Sequence, residues 1–89
     1  MHEPIPADLL EAGWQPVEDG RAMAKSYTFP GFPEAMAFML RVSYAAQAAD
    51  HHPEWSNIYD RVVVRLTTHD TGGLTAKDIA LARVMESAA

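Results

Sequence analysis

The sequence predicts an α+β domain in which three helices pack on one face of a four-stranded antiparallel sheet. Helical and strand-like hydrophobic patterns follow one another in the order α-β-β-α-β-β-α, and short turn sequences join the two members of each strand pair. Strands joined by short turns pair antiparallel, and amphipathic helices can cover the apolar face of such a sheet. A length of 89 residues suits one domain, covering residues 1–89.

The N-terminal third contains the signals of a short helix followed by a hairpin. Pro6 suits the first turn of a helix, and Gly13 suits the position just after its end. The predicted hairpin has arms at residues 14–18 and 21–29, joined by Asp19-Gly20, a dipeptide typical of two-residue turns. Alternation along the second arm places three apolar side chains on one face: Met23, Tyr27 and Phe29.

The longest predicted helix covers residues 33–49. Pro33 fits its first turn, and Glu34 beside it interacts favourably with the helix dipole. We expect the helix to end before Pro53, since the residue preceding a proline is pushed out of the helical conformation. Apolar residues recur mostly three and four positions apart and predict its buried face: Met36, Met39, Leu40, Val42 and Ala46.

A second hairpin and a final helix complete the chain. The hairpin arms are predicted at residues 54–59 and 61–68, and Gly72-Gly73 marks the loop that follows. Thr75 and Asp78 have the spacing of a helix capping box, with Asp in place of the usual Glu. The predicted inward side chains are Val62, Val64 and Leu66 on the second arm, and Ile79, Ala82 and Met85 on the helix.

Composition argues against several classes of function. The chain has 7 Lys and Arg against 12 Asp and Glu, a net charge of −5. This balance disfavours direct binding to nucleic acid or to an anionic membrane surface, because both need a basic face. Without cysteine there is no disulfide, thiolate nucleophile or zinc–thiolate site. No apolar run approaches the roughly 20 residues of a membrane span, and no signal peptide pattern is present, so we expect a cytoplasmic protein.

Three of the four histidines are candidates for chemistry. His51 and His52 lie where the long helix ends and a strand begins, and His69 follows the last predicted strand. If those two strands form a hairpin, the start of the first lies near the end of the second, and three imidazoles meet at one end of the sheet. Histidine suits acid/base work near neutral pH because its unperturbed pKa is about 6.5.

Three interpretations of these histidines remain open on residue chemistry alone. They can be exposed or capping residues without a catalytic role. They can hold zinc, although neighbours on an extended segment point to opposite faces, which makes it hard for His51 and His52 to share one ion. They can perform metal-free acid/base catalysis with help from Asp70 or Asp78, although Asp78 also has a sufficient role in capping its helix.

Four aromatic side chains are candidates for a pocket that takes a flat heteroaromatic ligand. Each of them is also a reasonable core residue. The four are Trp14, Phe32, Trp55 and Tyr59.

Together these residues form a pattern that resembles the pterin-4a-carbinolamine dehydratase family, known in animals also as a dimerisation cofactor of a homeodomain transcription factor. The resemblance covers nearly the whole chain and carries the same order of helices and strands. One position departs from it: the family commonly has Glu four residues before the first histidine of the pair, where this chain has Gln47. The motif residues are Asp50-His51-His52-Pro53-Glu54-Trp55, Tyr59, Thr67-Thr68-His69, Gly73-Leu74 and Asp78.

The resemblance implies dehydration of a 4a-hydroxytetrahydropterin in tetrahydropterin recycling. It implies His51 and His69 as the general acid/base pair, with His52 binding or polarising the pterin. Asp78 is expected to orient His69, and Trp55 and Gln47 are expected to support the site. No metal or separate cofactor is implied, because the pterin is itself the substrate. The substrate-binding residues so implied are Asp50, His51, His52, Thr67, Thr68, His69 and Asp70.

The resemblance also implies partners. A homodimer or homotetramer is expected, formed through the sheet and the helices, together with a functional link to an aromatic amino acid hydroxylase. The small core of an 89-residue chain without disulfides points the same way, since self-association adds buried area. The alternative function is a non-catalytic binding or assembly partner that acts through its oligomerisation surface.

Overall fold

The computed structural model describes residues 2–89, and Met1 lies outside them. A short 3₁₀ turn, His69–Thr71, precedes the last helix. The elements are α1 Ala7–Glu11, β1 Gln15–Val17, β2 Ala22–Thr28, α2 Phe32–Ala49, β3 Glu54–Ile58, β4 Arg61–Leu66 and α3 Ala76–Ala88. This order confirms the predicted α-β-β-α-β-β-α arrangement.

The four strands form one antiparallel sheet in the order β1-β2-β4-β3. The central pair, β2 and β4, aligns Met23 with Leu66 and Tyr27 with Val62. Strand β3 pairs with the other side of β4, and Trp55 lies opposite Val64. Both predicted hairpins are therefore present, and β3 and β1 are the two edges of the sheet.

One face of this sheet forms the core with the helices. Met23, Val62 and Val64 are fully buried there and belong to one cluster with Phe38 and Val42 of α2. Burial of a side chain of this size stabilises the fold by about 1.5–3 kcal/mol. Two further helical residues in the cluster are Leu9 of α1 and Met85 of α3. All three helices thus contribute to the same apolar face.

The buried face of α2 differs from the predicted one. Met36 and Leu40 are 41% and 59% exposed, whereas Ala35 and Phe38 are fully buried. The ring of Phe38 packs 4.9 Å from those of Tyr27 and Phe29, measured between centroids, and this contact sets the rotation of the helix. Val42 and Ala46 are buried as predicted, and Met39 is partly buried. The exposed apolar residues form a stripe at intervals of four: Phe32, Met36, Leu40 and Tyr44.

The first hairpin turn is wider than the predicted two residues. Val17 pairs with Ala22, so four residues, 18–21, form the loop. Glu18, Asp19 and Gly20 all have positive φ, at 54°, 58° and 80°. The loop closes on itself through the Gly20 amide, which donates to the Val17 carbonyl at 3.0 Å. Asp and Gly tolerate this left-handed conformation, so the dipeptide marks the turn but not its length.

The last helix begins with the predicted capping box. The Thr75 amide donates to Asp78 Oδ2 at 3.0 Å, and the Thr75 hydroxyl accepts from the Lys77 amide at 3.2 Å. Ala82 and Met85 are buried as predicted. Ile79 is only partly buried, and Leu81, which was not predicted, lies in the core instead.

The opposite end of α3 is tied to the sheet by a second polar cluster. Oε2 of Glu86 accepts hydrogen bonds from Lys25 Nζ at 2.6 Å, from Trp14 Nε1 at 3.1 Å and from the Tyr27 hydroxyl. Partial burial by itself would raise the pKa of Glu86, but these hydrogen bonds and the charge of Lys25 outweigh it and lower that pKa. Burial and the hydrogen bond to Glu86 raise the pKa of Tyr27.

No helix within residues 2–89 is long and apolar enough to cross a membrane.

Candidate active site

A cleft of about 400 Å³ opens at the end of the sheet where α2 stops and α3 starts. Four segments supply it: the residues after α2, the start of β3, the residues after β4 and the first turn of α3. Its lining residues are Asp50, His51, His52, Pro53, Glu54, Thr67, Thr68, His69, Asp70 and Lys77. The three histidines therefore meet in one cleft, together with all of the substrate-binding residues that the resemblance implies.

The end of α2 sets the direction of the two adjacent histidines. Asp50 adopts the left-handed conformation, with φ 50° and ψ 44°. The His51 amide then donates back to the Ala46 carbonyl at 3.0 Å. This turn ends the helix and directs the backbone towards β3. As a result His51 faces inward and His52 lies on the surface.

His51 is held by a buried carboxylate. Its Nε2 lies 2.6 Å from Oδ1 of Asp78, a residue with no solvent exposure at all. The other oxygen of Asp78, Oδ2, accepts from the Thr68 hydroxyl at 2.7 Å and from the Thr75 amide at 3.0 Å. Three partners from α3, the β4 end and the α2 end thus converge on one carboxylate, which fixes the ring of His51 in place.

The hydrogen bonds around Asp78 assign the protons. The single hydroxyl proton of Thr68 goes to Asp78, so Thr68 Oγ1 accepts from the Thr75 hydroxyl 2.8 Å away. With Asp78 as acceptor throughout, His51 carries its proton on Nε2. Nδ1 of His51 has no hydrogen-bond partner. Because every buried polar side-chain atom in residues 2–89 has a partner, Nδ1 is not buried and reaches the solvent of the cleft.

His52 and His69 have exposed partners. Nε2 of His52 lies 3.1 Å from Oε1 of Gln47, the residue that replaces the Glu common in the family. The side chain of His69 is 82% exposed, and its Nε2 lies 3.6 Å from Oε2 of Glu54. The expectation that Asp78 orients His69 is wrong: the inward turn at Asp50 brings His51 to Asp78 instead, and His69 lies on the outer side of the cleft.

The remaining predicted residues have different environments. The Thr67 hydroxyl donates to the Arg21 carbonyl at 2.7 Å. The Thr68 hydroxyl donates its hydrogen bond to Asp78. Asp50 and Asp70 are both exposed on the cleft, Asp50 in the turn after α2 and Asp70 in the 3₁₀ turn. Those two side chains are therefore free to meet a ligand.

The four candidate aromatic residues do not line this cleft. Trp14 is fully buried and bonded to Glu86, and Trp55 packs partly buried against the core. Phe32 and Tyr59 are exposed at 48% and 65%. The idea of an aromatic pocket is wrong because Trp14 precedes β1 and Tyr59 lies in the turn after β3, at the far end from the histidines.

Two charged residues of the cleft were not singled out from sequence. Glu54 stood in the motif but without a role, and Lys77 of α3 gave no signal, since a lysine beside a capping residue looks like helix surface.

Among residues 2–89, no group of three or more His, Asp or Glu side chains is arranged to hold a metal ion.

Comparison with known proteins agrees with the motif. The sequence model of the family described as pterin 4 alpha carbinolamine dehydratase matches residues 2–88. A relative from Mesorhizobium japonicum, provisionally named a pterin-4-alpha-carbinolamine dehydratase, is 54% identical over 82 residues, which is 91% of this chain and 84% of the relative. One from Opitutus terrae with the same provisional name is 56% identical over 75 residues, covering 83% and 75% of the two chains.

Solved structures show the same fold. The crystal structure of a transcriptional coactivator/pterin dehydratase from Brucella melitensis superposes with a TM-score of 0.86 at 43% identity, covering 92% of this chain and 89% of that one. A pterin dehydratase-like protein described as a RuBisCO assembly factor shares the fold alone, with a TM-score of 0.72 at 14% identity. From its motif, its fold and these relatives, the chain belongs to the pterin-4a-carbinolamine dehydratase family.

Proposed function

We propose that this chain dehydrates 4a-hydroxytetrahydropterin to quinonoid dihydropterin by histidine acid/base catalysis. The C4a–O bond breaks, the hydroxyl takes up a proton and leaves as water, N5 loses a proton, and a double bond forms between N5 and C4a. The observation that carries the proposal is the meeting of three imidazoles in one cleft, one of them held by a fully buried aspartate.

His51 and His69 are the proposed proton-transfer pair. Asp78 holds Nε2 of His51 and leaves Nδ1 to the cleft, which gives this ring one defined face for proton transfer. His69 lines the same cleft from the segment after β4 and is exposed, so the two rings can act on different parts of one ligand. A positioned imidazole contributes about 10²–10⁴ in rate to each proton transfer.

His52 and the exposed carboxylates are proposed to bind the pterin. His52 is oriented by Gln47, an amide that can hold the ring but supplies no charge to it. Asp50 and Asp70 present acceptors to the cleft, which suit the amino and ring N–H donors of a pterin. No metal ion or cofactor takes part in the proposed reaction.

The proposed role is tetrahydropterin recycling in the cytoplasm, after an aromatic amino acid hydroxylase has used its pterin. The decisive test is turnover of freshly generated 4a-carbinolamine, followed by its ultraviolet absorbance. Acceleration over the uncatalysed dehydration, proportional to protein concentration, supports the activity. A rate equal to the buffer rate at micromolar protein would overturn it.

We further propose that the chain is a homodimer or homotetramer. The apolar stripe on α2 exposes 59% of Leu40 and 72% of Tyr44, and the edge strand β3 offers unpaired backbone groups. Sedimentation equilibrium at micromolar concentration should give a multiple of 9.8 kDa. A mass near that of one chain across this range would contradict it.

The same stripe favours a second candidate, a non-catalytic partner protein that acts through its oligomerisation surface. The relative from Brucella melitensis is described as both a transcriptional coactivator and a pterin dehydratase. Leu40→Glu separates them, because it places a charge on the stripe and leaves the cleft intact. Loss of self-association with full turnover would favour the enzyme; an inactive wild-type chain that still self-associates would favour the partner protein.

A further inference from the structure

The three histidines of the cleft differ in what holds their rings. His51 has a buried carboxylate at 2.6 Å, and His52 has an amide at 3.1 Å. His69, proposed above as half of the proton-transfer pair, has a side chain that is 82% exposed. Within residues 2–89, the one carboxylate inside 4 Å of its ring nitrogens is that of Glu54.

Glu54 is itself held in place. It is the first residue of β3 and lies directly opposite Arg65 of β4 in the strand register. Nη1 of Arg65 donates to Oε2 of Glu54, the same oxygen that faces His69. The backbone pairing and this ion pair together define where the carboxylate sits.

Arg65 is held in turn from its other side. Its Nε and Nη2 donate to the two oxygens of Glu18 at 2.6 Å and 2.5 Å, a two-point contact typical of guanidinium and carboxylate. The hydrogen bond from Arg65 lowers the pKa of Glu18 and outweighs the opposing effect of desolvation. Glu18 belongs to the wide turn between β1 and β2, so the chain Glu18–Arg65–Glu54 crosses the outer face of the sheet and ends at His69.

This arrangement has two consequences for His69. The two carboxylates and one guanidinium of Glu18, Arg65 and Glu54 together carry one net negative charge. This charge attracts the His69 imidazole when it holds a proton. A carboxylate fixed by strand register also restricts the rotamers of a ring that is otherwise free in solvent. Both effects keep a proton-carrying ring at the cleft rather than in bulk water.

We propose that Glu54 is a positioning residue that holds His69 for proton transfer, with Arg65 and Glu18 supporting it. The inference rests on the dehydratase activity proposed above. Glu54 acts here through the histidine rather than on the pterin.

Glu54→Gln tests the inference, because it keeps the shape of the side chain and removes its charge. We expect kcat to fall about tenfold, since misplacement of a reacting group costs rate, while KM stays within twofold. Glu11→Gln is the matched control: it removes the same charge from an exposed residue of α1, and kcat should not change. Exposed ion pairs add little stability, so the melting temperature of Glu54→Gln should stay close to that of the wild type.

A double-mutant cycle separates positioning from other roles. If Glu54 acts through His69, Glu54→Gln causes no further loss of kcat in the His69→Ala background. A full additional tenfold loss there, or a Glu54→Gln variant as active as Glu11→Gln, would overturn the inference while the activity of the wild type still supports the proposed function. An inactive wild-type chain would overturn both.

Discussion

The two ends of α3 carry the same kind of polar cluster with different consequences. Near its start, Asp78 accepts from Thr68, the Thr75 amide and His51. Near its end, Glu86 accepts from Trp14, Lys25 and Tyr27. Each carboxylate therefore has three donors: those of Glu86 lie on or just before strands of the sheet, whereas those of Asp78 come from the segments after α2 and β4 and from the start of α3. Only at Asp78 does one of the donors, His51, have a second ring nitrogen that faces a cleft.

The difference shows what a polar cluster needs before it can do chemistry. Trp14 and Tyr27 each have one polar side-chain hydrogen, and both hydrogens are used on Glu86, so neither of these side chains has a further proton to offer a ligand. His51 has two nitrogens, one used for anchoring and one left over. We therefore expect changes at Asp78 to affect both activity and stability, and changes at Glu86 to affect stability alone.

The largest expected effect is that of Asp78→Asn. The amide places an N–H₂ donor among groups that are themselves donors, so His51 loses its defined proton position. We expect kcat to fall about tenfold, since an unoriented His51 loses much of what a positioned imidazole contributes, and the free energy of unfolding to fall by about 1–3 kcal/mol. Steady-state turnover and urea denaturation measure the two effects.

Glu86→Gln is the control for that variant, at the other end of the same helix. Its kcat should stay within twofold of the wild type. A tenfold loss of kcat in Glu86→Gln as well would mean that α3 as a whole, rather than the Asp78–His51 pair, sets the activity.

The next effect is that of removing the proposed proton-transfer residues themselves. His51→Ala and His69→Ala should each lower kcat by about tenfold or more, while circular dichroism shows the fold intact. His51→Ala should also lower stability, since it leaves an oxygen of the buried Asp78 without its partner. His69→Ala should leave stability unchanged, because the His69 side chain is exposed. Full activity in both variants would show the pair to be misassigned.

A smaller effect concerns the pH dependence of the Glu86 cluster. Because the folded pKa of Glu86 lies below its ordinary value of 4.5, the ionised carboxylate stabilises the fold above that pH and loses this contribution as pH falls through the folded pKa. The wild type should therefore exceed Glu86→Gln by about 1 kcal/mol in unfolding free energy at pH 7, and the difference should shrink below pH 4.5. A difference independent of pH would contradict the role of the charge.

The smallest expected effect is that of metal removal. Dialysis against a strong chelator should leave turnover unchanged, because the proposed reaction uses only imidazoles and the pterin. Stoichiometric zinc in the purified protein, lost together with activity, would contradict this.

Local signals determined the elements and the place of the site. Periodicity and turn residues predicted the order of helices and strands, and the hairpin of β3 and β4 brings the ends of those strands together whatever else the chain does. That is why the meeting of His51, His52 and His69 was predictable from sequence. The capping box of Thr75 and Asp78 was predictable for the same reason, since its members are three residues apart.

Partners across the fold depended on tertiary structure. The expectation paired Asp78 with His69, and the left-handed turn at Asp50 brings His51 to it instead. On α2, apolar residues occupy more than one side, and the contact of Phe38 with Tyr27 and Phe29 decided which side is buried. Glu54 and Lys77 entered the cleft through strand register and helix placement. In each case the sequence left several apolar or charged groups equivalent, and packing between elements distant in the chain distinguished them.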